Sequence, residues 1–322
     1  MTVIGFHASH EQITPRQLLH DVKHAEQAGF DAAMCSDHIA PWSDRQGESG
    51  FAWSWLGAAL EATNLKLGVV NAPGQRYHPA IIAQAIATLG QMYPGRFWAA
   101  LGSGENANEH ITGDSWPRKE QRNARLRECV DIIRDLLAGK EVSHDGFVTV
   151  DRARLYTLPT TQPPLIAPAV SPETAGWAAE WADGLATINA EQNAVAKVID
   201  AYRSAGGRGP VVLQVHVSYA ADDERALAIA YDQWRSNVFS PPLCWDLETV
   251  EQFDEASKFV QPDDVRSSVL VSSSPAEFVD RLASYVALGV DEVYLHHVGK
   301  EQSEFLDVFG EQVLPQLREA TA

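Results

Sequence analysis

The feature that most constrains this chain is a joint that recurs along it: a helical stretch opened by proline, stopped by glycine, and followed at once by a short apolar run. Residues 15–28 open at Pro15, carry Leu18, Leu19, Val22 and Ala25 on one face, and stop before Gly29. Proline suits the first helical turn, where an amide has no partner to lose, and glycine supplies the left-handed stop. The same grammar holds at 79–93, between Pro79 and Pro94-Gly95, and at 275–288, between Pro275 and Gly289. The joints Gly29-Phe30-Asp31 and Gly289-Val290-Asp291 are alike, as expected where a helix ends and a parallel strand begins.

Runs with strand character fall at 3–9, 31–36, 66–71, 96–101, 164–168, 184–187, 211–219 and 291–297. Eight short strands alternating with helices specify an α/β fold with a parallel sheet covered by helices, and 322 residues suit one (β/α)8 TIM barrel. Stretches 139–163 and 239–265 break the rhythm and read as insertions, of the kind that caps an active-site face or builds a subunit contact. With no linker visible, residues 1–322 read as a single domain.

Charge and hydropathy then exclude several function classes. Twenty-five basic against 43 acidic residues give a net charge of −18, which repels nucleic acid and anionic membranes. A phosphate-bearing ligand would have to be held by backbone amides and a few local cations. No apolar run approaches the roughly 20 residues needed to span a bilayer, and the start, Met1 to Phe6, lacks the basic-then-apolar pattern of a signal peptide. The expectation is a cytoplasmic enzyme acting on a small molecule. Cys35, Cys129 and Cys244 lack metal-site spacing and read as reduced thiols.

Three clusters fall where strands end, on the catalytic face of such a barrel. Ser36-Asp37-His38 with Trp42 follows the second strand: His38 is suited to take a hydroxyl proton while a hydride leaves, and Asp37 to accept a hydrogen bond from a cofactor or to cap a helix. Gly102-Ser103-Gly104-Glu105 follows the fourth, with small residues that admit a flat ring or phosphate and Glu105 as a proton donor at the rim. It has neither a dinucleotide fingerprint nor a P-loop. Val69 to Tyr77 follows the third, a Pro- and Gly-fixed turn that either packs on a ring or lies at the surface. His7, His10, His38, His216, His296 and His297 also collect near strand ends, so a metal-dependent hydrolase is the competing reading. His7 and His10 are not spaced to project together, and no carboxylate pair accompanies them, so no metal ligand is assigned.

Taken in order, Ala8-Ser9 with Glu11-Gln12 and Pro15-Arg16, Ser36-Asp37-His38 with Pro41-Trp42, Arg76-Tyr77 with Pro79-Ala80, Gly102-Ser103-Gly104-Glu105 with Asn108-Glu109, and Arg125-Leu126-Arg127-Glu128 make the chain resemble the luciferase-like flavin and deazaflavin oxidoreductases nearly end to end. Its nearest branch by these motifs is the F420-dependent glucose-6-phosphate dehydrogenases. The resemblance implies a bacterial-luciferase-like barrel and hydride transfer to an isoalloxazine or deazaflavin ring. By it, His38 is the base, Glu105 the acid that protonates the reduced ring, and Trp42 a substrate-stabilising aromatic. Asp37, Val70, Asn71 and Asn108 line the cofactor.

The departures from that branch modify what it implies. Three cationic positions that hold the sugar phosphate align with Glu191, Glu255 and Ser268, and each opposing charge would cost on the order of 1 kcal/mol, so glucose 6-phosphate is not the expected substrate. A Gly-Gly pair beside the cofactor tail is Val170-Ser171, and a following threonine is Ile188. Those side chains point to FMN, with F420 as the alternative, and to a monooxygenase or dehydrogenase. A separate flavin reductase and a homodimeric assembly are further expectations. The Trp-rich run Phe51 to Trp55 is either interface or helix core, with core preferred.

Overall fold

The computed structural model, which describes residues 2–321, is a closed barrel of eight parallel strands. The strands are β1 (Val3–Ala8), β2 (Ala32–Ser36), β3 (Lys66–Asn71), β4 (Phe97–Leu101), β7 (Leu165–Pro168), β8 (Gly184–Ile188), β9 (Val211–Tyr219) and β11 (Glu292–His297), in that circular order, with β9 pairing to both β8 and β11. All eight expected strands are present to within about a residue or two at each end, the usual latitude of such boundaries. Three were not anticipated: β5 (Val142–Asp145) and β6 (Thr149–Ala153), an antiparallel hairpin inside the 139–163 insertion, and β10 (Leu270–Ser272), which extends the upper half of β9. The hairpin is short and mostly polar, and its one alternating stretch, Val148-Thr149-Val150-Asp151, is too brief to stand out as a strand signal inside a Thr- and Pro-rich insertion.

The proline-to-glycine helices form as their signals direct. Pro15–Gln27 is capped by Thr14, whose hydroxyl accepts from the Gln17 amide; Leu18, Val22 and Ala25 are buried, and Gly29 adopts φ +95°. Pro275–Val286 is capped by Ser274 and ends before Gly289 at φ +88°. Trp53 and Trp55 are buried in the helix Ala52–Ala62, so the Trp-rich run is core, while Phe51 at its start is exposed.

Strand alternation builds the barrel interior in layers, and the layers position the site. At the bottom Glu292 accepts hydrogen bonds from Lys66 Nζ and the Tyr294 hydroxyl, each at 2.8 Å. The middle layer is filled by Met34, Trp98, Ile166, Val212 and Tyr294, with the Trp98 and Tyr294 rings edge-to-face at 5.9 Å. Rings this large fit because the facing positions are Gly5 and Gly68: a Cβ at Gly68 would stand 2.0 Å from the Trp98 ring, and one at Gly5 2.3 Å from Tyr294. Gly68→Ala should therefore lower the unfolding free energy by about 1–3 kcal/mol through overpacking. A denaturant midpoint equal to that of the unaltered protein would show that Trp98 has room to swing aside.

One layer higher, the inward residues His7, Ser36, Val70, Pro168, Gln214 and His296 no longer fill the barrel. They are the floor of a cavity. The 239–265 insertion, with the helices Leu243–Asp246 and Val250–Ser257, roofs it, whereas no residue of 139–163 reaches it. Among the described residues no helix is long and apolar enough to cross a membrane.

Candidate active site

The cavity measures about 1030 Å³ and opens at the C-terminal ends of the strands. At its centre is His38, set by the loop after β2. Its Nδ1 lies 2.5 Å from Glu11 Oε1, and Glu11 Oε2 accepts a 2.8 Å hydrogen bond from the Ser9 hydroxyl, so the loop after β1 fixes the carboxylate and the carboxylate fixes the imidazole. On the other face of the ring, His38 Nε2 is 3.6 Å from Glu105 Oε2. The His38 side chain keeps 18% of its surface and Glu105 29%, both directed to the cavity they line.

The electrostatics separate the two carboxylates. Burial alone would raise Glu11, but the His38 charge and hydrogen bond, with Ser9, hold it down at about 2. For His38, desolvation lowers the pKa, and the charge and hydrogen bond of Glu11, with Glu105 behind, outweigh it and raise it above 6.5. Glu105 is itself raised, by desolvation first and by Glu11 and Glu109, against the pull of His38. One carboxylate is thus a permanent anion that orients the imidazole and raises its basicity, and the other is poised to hold a proton. Separated values of this kind mark acid and base roles.

Around this pair the expected residues converge. Trp42 meets His38 edge-to-face at 5.1 Å and Phe253 of the roof at 5.2 Å. Ser43 and Arg45 hold Asp254 at 2.6 and 2.9 Å, tying the roof to the His38 loop. Asn108 accepts from the Ile39 amide at 2.9 Å and donates to Glu105 at 3.3 Å, so its amide spans the base loop and the acid. Asp37 is buried and caps no helix: it accepts from Asn71 Nδ2 at 2.9 Å and faces Arg76 at 3.6 Å. Asp37 Oδ1 and Asn71 Oδ1 are buried with no hydrogen-bond partner. Val70, Val170, Ser171 and Ile188 line the wall as well. All ten expected residues border one cavity.

The histidines do not converge as a ligand set. His7 stacks on His296 at 4.4 Å, Gln214 lies within 3.3 Å of both the His216 and His296 rings, His296 Nε2 meets Gln12 at 2.8 Å, and His216 Nδ1 meets Asn189 at 2.9 Å. Burial drives His7 to about 4, His216 to about 3 and His296 well down, giving a neutral, hydrogen-bonded floor. His10 packs against Trp55 and lies off the cavity. Among the described residues no three His, Cys, Asp or Glu side chains are placed to hold one ion.

Residues 1–292 match the luciferase-like monooxygenase family. The chain belongs to that family. As a member of the luciferase-like family it is an oxidoreductase. It is 33% identical over 326 residues to the F420-dependent glucose-6-phosphate dehydrogenase of Nakamurella multipartita, covering 98% of this chain and 96% of that one. It is 35% identical to the enzyme of the same name from Kribbella flavida, covering 98% of each chain. Among solved structures, an F420-dependent secondary alcohol dehydrogenase in complex with an F420-acetone adduct superposes with a TM-score of 0.91 at 29% identity, covering 98% of this chain and 99% of that one.

Within the luciferase-like frame, one inference from sequence needs correction. Glu191 and Glu255 do not line the cavity; Glu191 is exposed at the start of the helix Gln192–Ser204, and Glu255 pairs with Lys258 on the surface at 2.5 Å. Only Ser268 of the three positions reaches the wall, so neither acidic side chain would touch a ligand there and their repulsion is that of screened surface charges. The sequence alone assigns no role to Glu11, although Glu11-Gln12 is one of the segments that carry the family resemblance. The signal that finds it is spatial: β1 and β2 are neighbours, in register His7↔Met34 and Ala8↔Cys35, so the residues just beyond their ends meet.

Proposed function

We propose that this protein oxidises a small uncharged alcohol by hydride transfer to a deazaflavin of the F420 type. The observation that carries the reading is the Glu11–His38–Glu105 line, a base oriented by a permanent carboxylate and a protonatable acid on one axis beside a deep cavity.

The residues present suit a flat tricyclic ring. Asp37 Oδ1 and Asn71 Oδ1 are buried acceptors without donors at one wall, and Gly102 leaves a bare backbone where a Cβ would come within 3.2 Å of Pro168. When bound, such a ring supplies a carbon that takes up the hydride. The chain does the rest: His38 Nε2 receives the hydroxyl proton as the carbinol carbon gives up its hydride and becomes a carbonyl, Glu11 stabilises the resulting imidazolium, and Glu105 delivers the proton that accompanies reduction. The roof and floor near His38 are Trp42, Trp234, Cys244 and Phe253, which favours an apolar substituent on the alcohol. Likeness to the secondary alcohol dehydrogenase supports this class.

FMN is the second reading, favoured by Val170, Ser171 and Ile188 on the wall where the resembling branch has glycines and threonine. Against it, these residues leave the cavity open: Val170 and Ile188 stay 42% and 43% exposed. Titration with F420 and with FMN, followed by absorbance and by the mass of the retained chromophore, decides between them. Tight retention of F420 with reduction by a secondary alcohol is expected. Exclusive retention of FMN would replace the dehydrogenase reading with the monooxygenase one, and retention of neither would end both.

A further inference from the structure

We propose that Lys119 and Arg122, on the first turns of the helix Lys119–Leu137, bind the anionic tail of the cofactor. This rests on the reading that the cavity holds a flavin-type ring carrying a phosphate-bearing chain.

The argument begins with the charge of the chain. At −18, this protein can seat an anion only where backbone amides and local cations gather. Among the described residues, the Lys and Arg side chains lining the cavity are Arg76, Lys119 and Arg122. Arg76 is neutralised: although its Nε also lacks a hydrogen-bond partner, its Nη2 donates to the Asp37 carbonyl at 2.6 Å, it faces the buried Asp37 and Glu109 carboxylates at 3.6 Å each, and it stacks over Tyr77 at 4.5 Å. Lys119 and Arg122 remain.

Arg122 is 4% exposed, yet its Nε has no hydrogen-bond partner. Its Nη1 donates to the Pro117 carbonyl at 2.8 Å, and its guanidinium lies over Trp116 at 4.3 Å. The carboxylate that faces it, Asp246, is 3.9 Å away, half-exposed, and accepts from Trp116 Nε1 at 3.0 Å. A buried guanidinium with an unpaired N–H is incompletely neutralised, and because the residue borders the cavity an anion there gains its charge. Lys119 forms no ion pair among the described residues and holds its ammonium 5.3 Å from the Trp245 ring of the roof. Asn123 adds a half-buried amide on the same wall, and the helix start adds free backbone N–H groups and the positive end of a 19-residue dipole. Glu120, in the same first turn, is exposed and does not line the cavity; Glu173, across the rim, does. The phosphate and carboxylates of the tail therefore have one cationic corner to occupy.

The test compares ligands that share a ring and differ in the tail: F420 against its ring and ribityl chain alone, with FMN against riboflavin in parallel. Dissociation constants are read from ligand fluorescence, without turnover. In the unaltered protein the tailed ligand should bind at least tenfold more tightly, with the advantage shrinking as salt rises. Lys119→Ala and Arg122→Gln should each cut that advantage by about tenfold, with affinity for the tail-less ring unchanged. Glutamine retains a donor to the Pro117 carbonyl, and the surface substitution Lys119→Ala does not depend on the buried site folding. Equal weakening of both ligands, or undiminished tail preference in both variants, overturns the proposal. If the unaltered protein binds no tricyclic ring at all, the functional reading fails and takes this inference with it.

Discussion

A His38→Ala protein should lose about two to four orders of magnitude in kcat while its affinity for the cofactor stays within a few-fold of the unaltered value. The expectation follows from what His38 touches. Its Nε2 faces the cavity and Glu105, its Nδ1 is held by Glu11, and it makes no other hydrogen bond through the ring. Removing it deletes the proton acceptor for the carbinol and leaves Glu11, a buried anion, with only Ser9 and more distant charges to face. Stopped-flow measurement of ring reduction separates the outcomes: slow reduction with normal binding supports the base, whereas full-rate reduction would reassign His38 to positioning. A chemical-rescue test sharpens this, because loss of the base should make reduction depend on added imidazole or on hydroxide.

The same residues show what could be read from sequence and what could not. The barrel was legible because its determinants are local: Pro15, Gly29, Pro275 and Gly289 cap helices wherever they fold, and apolar runs with β-branched residues become buried strands. Positions at strand ends were legible for the same reason, since the fold sends those ends to one face. The ion relations were not. Glu11 and His38 are 27 residues apart and meet only because β1 and β2 pair in a particular register. Glu191 misled in the opposite sense: it sits at a helix start two residues beyond Asn189, which lines the cavity, but the turn points it outward. A one-residue shift in an alignment changes which side of a wall a charge occupies. Arg122 was equally hidden, because nothing in the string of residues distinguishes a guanidinium buried beside Trp116 from the solvated Arg127 one turn on.

Glu11→Gln offers the most discriminating result, since glutamine keeps the shape and an acceptor for the His38 Nδ1 proton and removes only the charge. His38 is raised above 6.5 because the Glu11 anion outweighs desolvation, so its loss must lower the imidazole pKa. Oxidation needs neutral His38, and the rate therefore climbs with pH through that pKa; in the variant the climb should begin at lower pH and level off about tenfold lower, because a weaker base with no partner for its imidazolium drives proton transfer less. Stability changes in the same window. Glu11, depressed from 4.5 to about 2, stabilises the fold above its unfolded pKa and loses that contribution as pH falls through about 2. His38, raised, stabilises fully below 6.5 and loses it as pH rises through its higher folded value. The pair thus contributes most between roughly pH 4.5 and 6.5, where the variant should be less stable by about 1–3 kcal/mol, and the difference should narrow on the alkaline side. Unfolding midpoints at pH 5.5 and pH 9, beside the pH profile of ring reduction, measure both. A variant whose rate profile keeps its midpoint would show that Glu11 only fixes the ring in place, and that the charge on His38 is governed from the Glu105 side.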